Sequence, residues 1–589
     1  MRRIRRAFLG LLAAGRSAFA VESLVDLGYT KLQGAAEVIG ITQWLGVPYA
    51  AAPLKELRFA APIDPPPTTG IVEATQFKPI CLPRSPSDFT MQPNKRFRVD
   101  EDCLYMNIFA PSNASESSKL PVMYFIQGGG FESNSNANFN ASDLASFGNI
   151  VVVQINYRVG PFGFIQSQEI KNHGSLNIGL KDQVQGLNWL NSHITSFGGD
   201  PEHIVAVGDS AGATSILLLM MAFSKQDNAL IKGAVMESAS VATLRTLEQG
   251  QLQYNCLVNA TGCSEMLDTL ACLRSVPAAS LLTENCQFNP HLDGEMVNES
   301  MLSAFASGSY LQIPTIIGSC TDEGTKSVPR DLNTTAQALS YLNNRVSNSL
   351  SNSSLALLAQ TYLNTSQSAP TFPNSSPLWR PLANAAGDIG AHCVAADIQN
   401  AISNVSSQKT WNYRYAVLDP EDEANGFGAY HTVELNGVFG PNNTDGAPPV
   451  SYRTTNAAIV PLTMGYWTSF VKTLDPNTLR IPGAPEWDPW SGAQGADGRK
   501  RLRFQTNNTA VESMPDQQAM EIPPQKGTLV QLTRPSPGAL AAAANAKGPG
   551  SESPNDVQPA IGAAGRAVLG WCFVVIQTLS LSFVLSLIL

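Results

Sequence analysis

The chain has 589 residues, 43% of them apolar and 14% charged, with a formal net charge of −9. That composition can bury a large core, and the length fits one large α/β domain carrying insertions. The acidic balance argues against a nucleic-acid partner, which would need a basic face.

The first segment, "MRRIRRAFLGLLAAGRSAFA" (1–20), has a basic start, a short apolar run and an Ala18-Phe19-Ala20 end. It reads as a secretory signal peptide. A folded domain is expected over 21–525. Apolar, β-branched runs ending in Gly, Asn or Ser recur along it: 121–130, 150–158, 203–210, 233–238, 313–319 and 412–419. Runs of this kind belong to strands covered on both faces. Helix-like stretches alternate with them at 180–194, 211–224 and 456–474, and 325–410 reads as a helical insertion. The alternation predicts an α/β fold with a mostly parallel, doubly wound sheet. Residues 526–566 are a Pro/Gly/Ala/Ser-rich linker, and 567–589 form an uncharged apolar tail. Small residues, a polar spacer and an apolar end together suggest a GPI-attachment signal, with attachment within 548–556. A tail-anchored membrane helix is the alternative.

Eleven Asn-x-Ser/Thr sequons fit an exported, glycosylated surface: Asn113, Asn140, Asn259, Asn298, Asn333, Asn352, Asn364, Asn374, Asn404, Asn442 and Asn507. Of nine cysteines, Cys572 lies in the apolar tail. The other eight suit disulfides in an oxidising compartment. No Cys/His spacing suggests zinc, so neither a metal nor any other cofactor is expected.

"HIVAVGDSAGATSILLLM" (203–220) places Ser210 between Gly208 and Gly212, at the junction of an apolar strand and a helix. Gly-x-Ser-x-Gly in that setting is a nucleophile elbow. A serine nucleophile needs a base, the base needs an orienting acid, and the developing oxyanion needs donors. In this fold class the chain order is Ser, acid, His. His291, His392 and His431 follow Ser210. His291 breaks the order, His392 falls in a helix-like run where a structural role is expected, and His431 falls in the glycine-rich loop "GFGAYHTVEL". His431 is therefore the expected base. Asp322 and Glu323, after the strand 313–319, are both candidates for the acid. "IQGGGF" (126–131) supplies a turn whose amides can approach a substrate oxygen, with the amide of Ala211 as a further donor.

From about 35 to 505 the chain resembles the type-B carboxylesterase/lipase family, the cholinesterase-like α/β-hydrolases, and is closest in character to secreted fungal carboxylesterases. The resemblance rests on "WLGVPYAAAPLKELRF" (44–59), "EDCLYMNIFAP" (101–111), "GGGF" (128–131), "NYRVGPFGF" (156–164), "NIGLKDQVQGLNWL" (177–190), "FGGDPEHIVAVGDSAG" (197–212), "TDEGT" (321–325), "YHTVELNGVFG" (430–440) and "YWTSFVKTLDPN" (466–477). It implies Ser210 as nucleophile, Glu323 rather than Asp322 as acid, His431 as base, and Gly129, Gly130 and Ala211 as oxyanion donors. It also implies disulfides Cys81–Cys103 and Cys263–Cys272. That leaves Cys256, Cys286, Cys320 and Cys393, expected as Cys256–Cys286 and Cys320–Cys393.

Three departures stand out. Gln127 replaces the usual His or Tyr before the glycines. Cys320 replaces a common Asn. The loop between the first two cysteines has Phe89 and Phe97 but no Trp, which speaks against cation–π capture of choline. The expected function is an extracellular serine carboxylester hydrolase acting on a small-molecule ester. The alternatives are a lipase for longer-chain glycerides and a non-catalytic surface adhesion protein. Contact with a membrane is expected only through the tail or its lipid anchor.

Overall fold

The computed structural model describes residues 23–37, 39–85, 98–134, 138–226, 229–240, 244–345, 350–363, 372–444, 448–491 and 498–514. The signal 1–20, the linker 526–566, the tail 567–589 with Cys572, Asn364, Phe89 and Phe97 lie outside the described residues. Among the described residues no helix is long and apolar enough to cross a membrane.

The centre is an eleven-stranded mixed sheet. In chain order its strands are β1 (Ala35–Ala36), β2 (Ile41–Pro48), β3 (Tyr105–Pro111), β4 (Leu120–Ile126), β5 (Val151–Ile155), β6 (Gly199–Asp209), β7 (Ile231–Glu237), β8 (Thr315–Cys320), β9 (Thr410–Tyr415), β10 (Lys500–Phe504) and β11 (Ala510–Ser513). The spatial order is β11-β10-β9-β8-β7-β6-β4-β5-β3-β2-β1. Pairing is parallel from β5 to β10 and antiparallel at both margins.

Side chains of the central strands divide between two apolar layers by simple alternation. Val122, Tyr124, Ile126, Ile204 and Ala206 enter one layer. Met123, Phe125, Val205 and Val207 enter the other. Helices α1 (Ser142–Gly148), α2 (Ile178–His193), α3 (Ala211–Ala222), α5 (Cys393–Val405) and α6 (Ile459–Thr473) cover the faces, while α4 (Trp379–Gly387) packs within the helical insertion. Leu187 of α2 and Leu217 of α3 pack in the first layer, and Leu144 of α1 with Trp467 and Phe470 of α6 in the second. Each such side chain contributes about 1.5–3 kcal/mol on burial.

The six expected strands all form, most of them shorter than the apolar runs. β4, for example, stops at Ile126, before the glycines. The insertion 325–410 is helical as expected and builds a third apolar cluster around Trp379, Leu382 and Leu358. The marginal strands were not visible as apolar runs. In β10, "KRLRF", Leu502 and Phe504 are buried while Arg501 and Arg503 pair with Glu512 on β11, at 2.7 and 3.5 Å. Cross-strand ion pairs there do what apolar contacts do in the centre.

Disulfides join Cys81–Cys103, Cys256–Cys286 and Cys263–Cys272. The expected Cys320–Cys393 bridge is absent, which corrects that pairing. The two thiols belong to different layers: Cys320 ends β8 in the second layer, and Cys393 opens α5 against the helical insertion. Nine of the sequon asparagines are exposed. Asn140 is half-buried, with its side chain accepting from the Ser142 amide.

Alkylating the unfolded, unreduced protein and mapping its peptides should modify Cys320 and Cys393 and leave the three pairs intact. A peptide carrying a Cys320–Cys393 crosslink would contradict this arrangement.

Candidate active site

Ser210 sits at the tip of the turn from β6 to α3 with φ 52° and ψ −120°. A non-glycine residue held there costs about 1–3 kcal/mol, and such strain collects at functional sites. The turn is jammed against the end of β4. A Cβ on Gly212 would lie 1.9 Å from the Ile126 carbonyl oxygen, so only glycine fits. The Ser210 amide donates to the Glu237 carbonyl at 2.7 Å, which fixes the turn from the β7 side.

His431 Nε2 lies 2.9 Å from Ser210 Oγ, and His431 Nδ1 is hydrogen-bonded to Glu323 Oε2. Residues from positions 210, 323 and 431 thus meet in one row, at the carboxyl ends of parallel strands. Loops beyond strand ends can converge in this way because the strands themselves are rigidly aligned. Glu323 Oε1 accepts from the Ser238 hydroxyl at 2.6 Å and the Cys320 amide at 2.7 Å.

Asp322, the other candidate acid, is engaged elsewhere. It pairs with Arg380 of α4 and accepts from the Ala429 amide at 2.8 Å. Its own amide donates to the Ala429 carbonyl, also at 2.8 Å. It therefore ties the acid loop to the loop that delivers His431. His291 is buried elsewhere, its Nδ1 3.2 Å from the Asn289 carbonyl and its amide donating to Asn177 Oδ1 at 3.0 Å. His392 does not reach Ser210; it contacts the Cys320 carbonyl and Asp388.

The glycine turn follows β4. Gly129 has φ +113°, and a Cβ there would lie 2.1 Å from the Ser133 carbonyl oxygen. Among the described residues no group takes up the amides of Gly129 and Gly130. Ala211 opens α3, where the first amides have no partner within the helix. The Asp209 carboxyl accepts from the Gly128 amide at 3.0 Å, which links this turn to the residue before Ser210. Gln127 points away from the turn: its Nε2 donates to Asn156 Oδ1 at 3.2 Å. Its carbonyl accepts from the Tyr157 hydroxyl at 2.9 Å, so it props the turn from below.

Four carboxyl groups are buried together here: Asp209, Glu237, Glu323 and Glu434. Burial pushes Asp209 up to about 7 and lifts Glu237 and Glu434 as well, their mutual repulsion adding to it. Burial also opposes the Glu323 anion, but the facing His431 outweighs it and holds Glu323 below the usual range. Burial opposes the His431 cation too, and Glu323 outweighs it, so His431 titrates above its ordinary value. Glu323 is thus the one carboxyl of the four whose charged form is favoured. Neighbouring carboxyls pushed apart in this way mark an acid–base site.

Glu434, Ser238 and Asp209 were not singled out from the sequence. Glu434 accepts from the Tyr413 hydroxyl at 3.0 Å, and its Oε2 lies 2.7 Å from Cys320 Sγ. The available signal was position: Asp209 closes β6, Ser238 directly follows β7, and Glu434 falls three residues after His431. Among the described residues no cluster of His, Cys, Asp or Glu is arranged to hold a metal ion.

The molecule is an α/β-hydrolase with a Ser–His–Glu row at its sheet edge. The Carboxylesterase family matches residues 22–522. Secreted lipase 1 of Botryotinia fuckeliana is 31% identical over 515 residues, covering 78% of this chain and 87% of its own. Para-nitrobenzyl esterase of Bacillus subtilis is 31% identical, covering 78% of this chain and 91% of its own. The crystal structure of Aspergillus niger EstA superposes with a TM-score of 0.78 at 36% identity, covering 84% of this chain and 96% of its own. The chain belongs to the carboxylesterase family, and its chemistry is carboxylic ester hydrolysis.

Substituting Gly212→Ala should abolish activity, because the added methyl meets backbone that cannot yield. Wild-type turnover in that variant would contradict the packing of the elbow.

Proposed function

We propose that the protein is an extracellular serine carboxylester hydrolase using Ser210 as nucleophile, His431 as general base and Glu323 as orienting acid. The observation that carries this reading is the unbroken hydrogen-bonded row from Ser210 through His431 to Glu323. His431 takes the hydroxyl proton as Ser210 Oγ attacks the ester carbonyl. The carbonyl oxygen becomes an oxyanion, held by the amides of Gly129, Gly130 and Ala211, each donor worth about 3 kcal/mol of barrier. His431 then protonates the departing alcohol and leaves an acyl-enzyme on Ser210. Water, deprotonated by His431, releases the acid and restores the serine. Glu323 stays ionised throughout and stabilises the imidazolium.

Export is supported by the exposed sequons, the disulfides and two relatives named as secreted, from Botryotinia fuckeliana and Gibberella zeae. A cleaved signal at 1–20, a folded domain over 21–525 and a GPI-directing tail complete this reading. A second reading, lipase action on longer glycerides, is favoured by those two relatives, which are named a lipase and a triacylglycerol lipase.

A nitrophenyl ester series of rising acyl length separates the two readings. Smooth saturation with short-chain preference supports the esterase; a jump in rate above substrate solubility supports the lipase. In either case Ser210→Ala should lower kcat by about 10⁶-fold, and retained turnover would remove Ser210 from the mechanism.

The pH profile carries a sign. The base must be neutral, and His431 is held above its ordinary 6.5. Activity should therefore be lost as pH falls through a midpoint above 6.5 in kcat/KM. A midpoint below that value would contradict the proposed Glu323–His431 coupling.

A further inference from the structure

Directly behind the acid loop, two π-helical turns bring a second histidine and carboxylate together. One turn, Asp388–His392, carries both groups, and the other, Ala359–Leu363, carries Tyr362. The extra residue in a π turn re-aims its side chains, and such turns gather at functional sites. His392 Nδ1 lies 2.9 Å from Asp388 Oδ1, and Nε2 lies 2.7 Å from the Cys320 carbonyl oxygen. The other Asp388 oxygen accepts from the Tyr362 hydroxyl at 2.6 Å.

Both ring nitrogens of His392 therefore face acceptors. A carbonyl has no proton to give, and an ionised carboxylate only accepts. A neutral imidazole has one N–H, so only the doubly protonated ring satisfies both contacts. Burial opposes that cation, but Asp388 outweighs it, and His392 titrates above its ordinary value.

The carbonyl that His392 grips belongs to the last residue of β8, and the amide of that same residue donates to Glu323 Oε1. The positive ring also acts on Glu323 through space. Around His392 stand Asp388 and Tyr362 from the π turns, with Cys320 and Glu323 from the strand end and acid loop. Arg501 of β10 lies beyond Asp388. Past Glu323 come His431 and Glu434.

Building on the reading of Glu323 as the triad acid, we propose that His392, as an imidazolium paired with Asp388, is a positioning residue for Glu323. It pins the backbone unit that holds the carboxylate and sets a second positive charge beside it. The sequence alone had suggested a structural histidine in a helix. The structure puts it one residue, Cys320, from the proposed machinery.

The test compares His392→Gln, which removes the charge, with His392→Lys, which keeps it. His392→Gln should lower kcat about tenfold with KM within about twofold. Its acid limb in kcat/KM should move up by about half a pH unit, because losing the charge makes His431 easier to protonate. His392→Lys should bring the limb back towards the wild-type position. An unmoved limb in His392→Gln, or equal limbs in both variants, overturns the proposal, since a structural defect alone leaves the limb in place. If neither variant folds, ¹⁵N spectra of His431→Gln protein decide. One remaining histidine should keep both ring nitrogens protonated above the ordinary midpoint of 6.5. Midpoints all at or below that value would overturn the proposal. Absence of turnover in the unmutated protein, or its survival in Ser210→Ala, strikes the triad reading instead, so the two failures are distinguishable.

Discussion

The site depends on keeping one carboxylate, Glu323, ionised inside the protein. An isolated buried anion is costly, and it persists only when paired and hydrogen-bonded. Glu323 has both supports: the His431 ring on one oxygen, the Ser238 hydroxyl and Cys320 amide on the other. Its neighbours Asp209, Glu237 and Glu434 are buried with it and shifted the opposite way. A second ionised carboxylate there would compete for His431 and repel Glu323. Burial pushes all four towards protonation, and the facing His431 reverses that push only at Glu323.

Backbone rigidity holds this chemistry in place. The elbow at Ser210 presses on the Ile126 carbonyl, and the glycine turn after the same strand is linked to Asp209. Ser210 and the candidate oxyanion donors thus share one strand end as a common reference. Asp322, adjacent to Glu323 in sequence, ties the 322–323 loop to the 429–431 loop. Two consecutive carboxylates consequently divide the work: one holds the loops together, and its neighbour faces the imidazole.

Much of this was legible in the sequence, for a physical reason. Central strands buried on both faces must be apolar throughout, so β4 to β9 announce themselves, and so does a glycine-bounded serine between a strand and a helix. The quoted motifs also hold contacts between distant segments. Arg158 of "NYRVGPFGF" forms three hydrogen bonds to Asp182 of "NIGLKDQ", and Arg58 of "KELRF" pairs with Glu101 of "EDCLY". What stayed hidden depends on long-range placement. β10 reads as charged until Glu512 arrives from the next strand. Cys320 and Cys393 look like a pair until the sheet separates them. Glu434 and His392 acquire meaning only when the fold brings them to Glu323, and no local spacing encodes that meeting.

The most direct test of the central claim is the adduct mass of the folded protein after treatment with a fluorophosphonate, located by peptide sequencing. The account predicts a single adduct on Ser210 that fails to form once the protein is unfolded. A folded protein left unmodified, or modified on a different side chain, would contradict it.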